Sequence, residues 1–355
     1  MTVYLDHAAT TAADDRVIDA MTRCMRMANP SAAYSAAGEG RREMRLARQQ
    51  IARMLCVDHA GIVFTSGGSE ANAWAMSISQ EAAVSAVEHA SILSAAPGAA
   101  RIAVDENGVV TPEAVRRALR PDTKLVSVQW ANNETGVLHP IREIYPLVKK
   151  HGALLHVDAV QAFGHVPVDA SLCDLMSLSA HKLYGPRGAG ALYIAPGMRL
   201  APMIPGGHQE MNLRAGTENV PAIAGFGEAA RLAAEDLPER AEHERALMAE
   251  FIGQLQIPGL RVLGEGAPRL PGVTALYLPN LPSEKAIMKM DLRGFCLSGG
   301  AACHAGDGTP SHVYRAMGLS EKDAACVVRV SIGRGTTKQA LAACAQALEE
   351  VWKQG

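Results

Sequence analysis

A chain of 355 residues, 48% hydrophobic and 20% charged, is long enough to bury a sizeable core and has the balance of an ordinary globular protein of two lobes. Its formal net charge of -2 gives no reason to expect nucleic acid or an anionic membrane as a partner, which leaves small-molecule chemistry as the expectation. The first residues, Met1-Thr-Val-Tyr-Leu-Asp6, lack a basic stretch followed by an apolar run, and no run of about 18 apolar residues occurs, so a cytoplasmic location is expected.

In chain order, short apolar runs alternate with amphipathic stretches from about residue 60 to 235, the pattern of a mainly parallel sheet covered by helices. Strands are predicted at 62–65, 84–87, 125–129, 154–157, 175–179 and 189–194. Residues 141–150 have helical apolar spacing, two lysines in the last turn and Gly152 placed to end the helix. After about residue 236 the pattern changes to a long charged helix, strands near 260–263 and 273–278, a helix near 284–292, and a closing strand and helix. That succession reads as a smaller α+β lobe. The expected organisation is a large lobe at 15–235 and a small one built from 1–14 and 236–355.

The seven cysteines, at 24, 56, 173, 296, 303, 326 and 344, form no CxxC pair and no zinc-ligand spacing with histidine, so no metal site is expected. Most are expected to be small core residues, Cys296 among them. Cys303 differs, because Leu297-Ser-Gly-Gly-Ala-Ala-Cys-His-Ala-Gly-Asp-Gly-Thr-Pro310 is a glycine-rich loop that ends at a proline suited to opening a helix.

Four motifs follow predicted strands. Phe64-Thr-Ser-Gly-Gly68-Ser69 leads from a strand into a helix, where backbone N–H groups and the helix dipole favour a phosphate; a plain Ser cap is the alternative. Trp130-Ala-Asn132-Asn133-Glu134-Thr135-Gly136 offers amide donors, or is simply an Asn/Gly turn. His89, after the 84–87 strand, could stack on an aromatic ring or carry protons, and read alone is equally a structural histidine. The apolar run Leu154-Leu-His-Val runs into Asp158, a carboxylate of the kind a pyridine nitrogen needs, or a turn residue. In Ser179-Ala-His181-Lys182-Leu-Tyr-Gly-Pro-Arg-Gly188, 24 residues after Asp158, a lysine stands just beyond a strand. A desolvated lysine there could form a Schiff base with an aldehyde cofactor, and taken alone it is equally a solvated surface residue.

With these residues in hand, the chain resembles the NifS/IscS-type cysteine desulfurases, class V members of the fold type I aminotransferase superfamily. The likeness runs through Leu5-Asp-His-Ala-Ala-Thr-Thr11, Ser66-Gly-Gly-Ser-Glu70, Glu88-His89, Asn132-Asn-Glu-Thr-Gly136, His156-Val-Asp-Ala-Val-Gln161, the lysine motif, Arg214-Ala-Gly-Thr-Glu-Asn219, Gly299-Gly-Ala-Ala-Cys303 and Ser331-Ile-Gly-Arg334. The resemblance implies an α/β fold, with a seven-stranded, mainly parallel sheet between helices in the large lobe, and pyridoxal 5'-phosphate as cofactor. It makes Lys182 the Schiff-base lysine, Asp158 the partner of the pyridine nitrogen and Gln161 a donor to the phenolic oxygen, with His89 stacked on the ring. Gly68, Ser69, Ser179 and His181 hold the phosphate, joined by Thr217 from a second subunit, which implies a homodimer with shared sites. Asn133 and Arg334 grip the substrate carboxylate. Cys303 takes sulfur from L-cysteine as a persulfide, alanine leaves, and the sulfur passes to an acceptor protein or thiol, as in iron–sulfur cluster assembly.

The chain departs from the family pattern at Ala301 and His304 beside Cys303, at His208, Met211 and Asn212, and at Tyr34. Its end soon after the last helix leads to the expectation that no tail for docking a scaffold protein is present. Two other readings stay open: a selenocysteine lyase or another class V lyase or aminotransferase that does not depend on Cys303, and a non-catalytic binding subunit.

Overall fold

The structure, a computed structural model, describes residues 2–300 and 310–355. The N-terminal segment forms β1 (Val3–Tyr4), α1 (Asp15–Cys24) and α2 (Ala37–Met54). An alternating series follows: β2 (Ile62–Thr65), α3 (Gly68–Met76), β3 (Ala82–Ser85), α4 (Ala90–Ala95), β4 (Ala100–Ile102), α5 (Pro112–Ala118), β5 (Leu125–Ser127), α6 (Ile141–His151), β6 (Leu154–Asp158), β7 (Leu175–Ser179) and β8 (Gly190–Ile194). Among the described residues, β2 to β8 make one seven-stranded sheet in the order β2-β8-β7-β6-β5-β3-β4, the strand number that the family resemblance implies. Only β8 runs against its neighbours, pairing antiparallel with both β7 and β2. The others therefore point the same way, and β2, β3, β5, β6 and β7 deliver their carboxyl ends to one edge.

These strands are apolar and buried on both faces, which is what helices packed on both sides of a parallel sheet require. The predicted strand at 84–87 lies two residues earlier, at 82–85, and the edge strand β4 had no sequence signal because its Ala-Ala-Arg-Ile run is short and half exposed. α6 runs as expected and ends at Gly152 in the left-handed conformation, its last turn carrying Lys149, Lys150 and His151.

Next come α7 (Gln209–Asn212), a turn in which Glu210, Met211 and Asn212 all have positive φ, and α8 (Val220–Gln254). The strain at α7 is held by Glu210, which is buried, paired with Arg48 and hydrogen-bonded by the Phe64 amide at 2.8 Å. His208 and Asn212, two of the departures from the family pattern, bond each other across this turn at 2.6 Å. α8 is one continuous helix through residue 236, where the sequence pattern changes. Its first half is apolar because it is buried in the large core against α1 and α2, and its second half is charged because only Leu247, Met248 and Phe251 enter a second core.

The second core lies between β9 (Arg261–Val262), β10 (Val273–Tyr277), α9 (Ser283–Asp291), β11 (Phe295–Cys296), α10 (His312–Ala316), α11 (Glu321–Ala324), β12 (Val327–Ser331) and α12 (Lys338–Lys353). β12, β10 and β9 form an antiparallel sheet. The N-terminal strand joins this side, since β1 pairs with β11 and Asp6 bridges to Ser331. Cys24, Cys173, Cys326 and Cys344 are core residues as expected, whereas Cys296 is only half-buried, because β11 is a two-residue strand beside β1. Cys303, Ala301 and His304 lie outside the described residues.

Candidate active site

The ends of the parallel strands surround a cavity of about 250 Å³. Crevices at this edge are where open α/β sheets bind ligands, because each strand hands over there to a loop or a helix start. Gly68 and Ser69 reach it from the end of β2, His89 from β3, Asn133 from β5, Asp158 and Gln161 from β6, and Ser179, His181 and Lys182 from β7. The structure thus brings together nine of the residues that the sequence singled out. Gly68 opens α3 in tight contact: a Cβ there would sit 2.7 Å from Cγ2 of Val160. Gly68→Ala should push Val160 into the cavity; by weakening whatever the cavity holds, it is expected to lower ligand-linked thermal stabilisation while leaving the melting temperature of the ligand-free protein nearly unchanged.

Asp158 is buried and held in one orientation. Its Oδ1 accepts from the Val160 amide at 2.9 Å and its Oδ2 from Asn72 Nδ2 at 2.7 Å. Asn72 also donates to Ser91 Oγ at 2.9 Å, and that hydroxyl lies 2.8 Å from His89 Nδ1. His89 caps α4, its Nδ1 accepting from the Ser91 amide at 3.1 Å. An acceptor nitrogen carries no proton, so the neutral ring holds its hydrogen on Nε2. Burial pushes the pKa of His89 down, against the opposing pull of Asp158, which favours that neutral ring. Asn72 is the hub of this network, and the sequence did not single it out.

A second carboxyl, Glu88, is fully buried, and burial followed by the charge of Asp158 pushes its pKa well above the usual range. That direction favours the neutral form of Glu88. The carbonyl of Glu88 lies 2.9 Å from Nε2 of His312, which ties α10 to the residue before His89.

Lys182 Nζ donates to the carbonyls of Ala8 and Ala9 at 2.6 and 2.8 Å, and Gln161 Nε2 donates to Ala8 at 2.9 Å. The backbone carbonyl of Lys182 is 2.8 Å from His165 Nε2. His181 meets Thr10 Oγ1 at 3.1 Å, and its pKa is lowered to about 4 by burial and then by the charges of Lys182 and Arg187. The N-terminal Leu5–Thr11 motif therefore crosses the cavity beside the lysine.

Arg334 is not in this cavity. Its guanidinium holds Asp236 Oδ2 at 2.6 and 3.1 Å and Asp14 Oδ2 at 3.2 Å, stacks on the Tyr184 ring, and faces a separate surface pocket. The arginine in the cavity wall is Arg329, 1% exposed in the middle of β12. Its Nη1 donates to the Asn133 carbonyl at 2.9 Å and its Nη2 to Asp6 at 2.6 Å, while its buried Nε has no acceptor. The signal in the sequence was an arginine inside the apolar run Val-Val-Arg-Val-Ser, a placement that is costly without a partner. Thr217 is exposed and lies away from the cavity of its own chain.

Comparison with known proteins agrees with this geometry. The sequence model of the family described as Aminotransferase class-V matches residues 3–343. A protein named putative cysteine desulfurase IscS 1 from Bacillus subtilis is 38% identical, with 99% of this chain and 98% of that one covered. A cysteine desulfurase IscS from Methanosarcina thermophila is 35% identical over 95% of this chain and 88% of its own. Among solved structures, a NifS-like protein from Rickettsia africae superposes with a TM-score of 0.92 at 33% identity, covering 99% of this chain and all of its own. A structure described as SspA in complex with cysteine gives 0.82 at 30% identity, over 94% and 99%. From residues 3 to 343, then, the order of motifs, the sheet and the position of the cavity agree with one family, and this chain belongs to the class-V aminotransferases, in their NifS/IscS-type branch.

Proposed function

We propose that this protein is a pyridoxal-phosphate-dependent cysteine desulfurase, a reading carried by the convergence of Lys182 and Asp158 on one cavity at the strand ends. Members of the class-V family are generally dependent on this cofactor. The donor set fits it: a lysine amine, an oriented carboxylate, the start of α3, and Ser179 and His181. The buried Asn72 Oδ1, which has no partner, adds an acceptor beside the site. When bound, pyridoxal phosphate supplies an aldehyde that captures amines and a protonated ring that stabilises negative charge at the substrate's α-carbon.

The chain's own residues do the rest. Asp158, fixed by Asn72 and the Val160 amide, would meet the ring nitrogen. Gly68, Ser69, Ser179 and His181 would hold the phosphate, with Thr217 of a second copy completing the cradle in a homodimer. Gln161 would donate toward the phenolic oxygen, and His89 would lie against the ring as a neutral Nε2–H donor. Lys182 Nζ, which donates to the Ala8 and Ala9 carbonyls, would hold the cofactor's aldehyde and serve as the base for the substrate's α-proton. The substrate carboxylate goes to Arg329 and Asn133; Arg334, committed to two aspartates, has a structural role.

Cys303 closes the cycle. Its thiolate attacks the sulfur of L-cysteine, the substrate's carbon–sulfur bond breaks, and alanine leaves with the sulfur kept as a persulfide. An acceptor thiol or protein then removes that sulfur, with iron–sulfur cluster assembly as the proposed use and the cytoplasm as the place. Among the described residues, no helix is long and apolar enough to cross a membrane.

The test is the visible spectrum of the purified protein together with alanine release from L-cysteine. Absence of a lysine-bound chromophore, or of alanine, overturns the proposal. Within it, Arg329→Ala is expected to raise KM for L-cysteine about 10- to 100-fold, the worth of a hydrogen bond to a charged group, and Arg334→Ala is expected to change stability more than KM.

A further inference from the structure

Behind the cavity wall formed by Asn133 and Arg329, three buried polar atoms have no well-formed hydrogen bond among the described residues: Glu134 Oε2, Tyr314 Oη and Arg329 Nε, although the Glu134 carboxyl and the Tyr314 hydroxyl lie close enough to act on each other as hydrogen-bonding groups. Their residues are 1%, 0% and 1% exposed. Buried polar groups are nearly always paired, so a concentration of orphans beside a site points to a function for them.

The carboxylate oxygen and the hydroxyl both approach Gly300 at one point, where a Cβ would come 2.7 Å from Glu134 Oε2 and 3.4 Å from Tyr314 Oη, at a φ of 117°. Burial, and then the Glu134 carboxylate, push the Tyr314 hydroxyl well above its ordinary pKa, so it remains an O–H donor; the Arg329 charge acts on it in the opposite sense. Both charges therefore reach the same hydroxyl. Arg329 also grips the carbonyl of Asn133, so its guanidinium is bonded to the peptide group that leads into Glu134. With Asp6 on Nη2 and Asn133 on Nη1, the Nε is the nitrogen still lacking an acceptor. If Glu134 turned onto it, an incoming carboxylate would have to compete with a buried anion.

We propose that Tyr314 is a positioning residue that donates to Glu134, holds it off Arg329, and so reserves the arginine for the carboxylate of the amino-acid substrate. This inference rests on the assignment of Arg329 to that carboxylate. Its effect is on specificity for α-amino acids over simple amines, because an amine without a carboxylate makes no use of the arginine.

The experiment is an equilibrium titration of the holoenzyme chromophore with L-alanine and with ethylamine, the same molecule without its carboxylate. In Tyr314→Phe, the Kd for L-alanine is expected to rise about tenfold, the worth of one charge-assisted hydrogen bond, with that for ethylamine unchanged. Adding Glu134→Gln to that variant removes the competing charge and should restore alanine affinity, a rescue that mere loss of packing would not allow. Unchanged alanine affinity in Tyr314→Phe, equal weakening of both amines, or no rescue in the double variant overturns the inference. Arg329→Ala separates the two levels. If it leaves the ratio of the two affinities unchanged, the carboxylate assignment falls and this inference with it. If it lowers the ratio while Tyr314→Phe does not, only the role of Tyr314 falls.

Discussion

Cys303→Ala holoenzyme is expected to keep its chromophore and still bind L-cysteine, but to release alanine more than about 10³-fold more slowly, because removal of a covalent nucleophile eliminates the step rather than weakening it. The measurement is alanine formation from L-cysteine beside the visible spectrum of the same sample. A variant that releases sulfide at the wild-type rate with pyruvate and ammonia as the other products would show direct β-elimination from the substrate, and one that keeps wild-type alanine release would show sulfur removal that does not need this thiol. The result separates readings that share Lys182 and Asp158 and differ only at residue 303.

Asp158→Asn is the second large effect. The substitution keeps the size of the side chain but removes the negative charge, and loss of one partner from a buried charge pair costs about 3–5 kcal/mol, or about 10²- to 10⁴-fold in kcat. Glu88, a second carboxyl of the neighbourhood, has its pKa pushed well above the usual range by burial and is a poor replacement for the lost anion. The variant should bind the cofactor with altered pH dependence of its absorption, since the ring nitrogen loses the anion that keeps it protonated. A kcat within about threefold of wild type would show that Asp158 does not face the ring.

What the sequence determined by itself was whatever repeats locally. Burial on both faces makes a parallel strand a short apolar run, and six of the seven strands of the large sheet were legible for that reason, as was α6 from its apolar spacing and Gly152. The site residues that stand at strand ends, Gly68, His89, Asn133, Asp158 and Lys182, were legible because an apolar run that stops at a polar or small residue marks the edge where ligands bind. Tertiary structure decided what depends on long-range approach. It showed that α8 carries one helix from the large core to the small one, which composition alone breaks at residue 236, because burial and not helicity changes there. It put Arg329, from the middle of β12, and not Arg334 in the cavity wall: Arg329 meets the Asn133 loop, 196 residues away in the chain, while Arg334, just past the strand, turns to Asp236 and Asp14. It also joined Asn72, Ser91 and His89 to Asp158, and set Glu134 beside Tyr314. Such pairings have no signature in local pattern, since a polar side chain's role is fixed by the partners that folding brings to it.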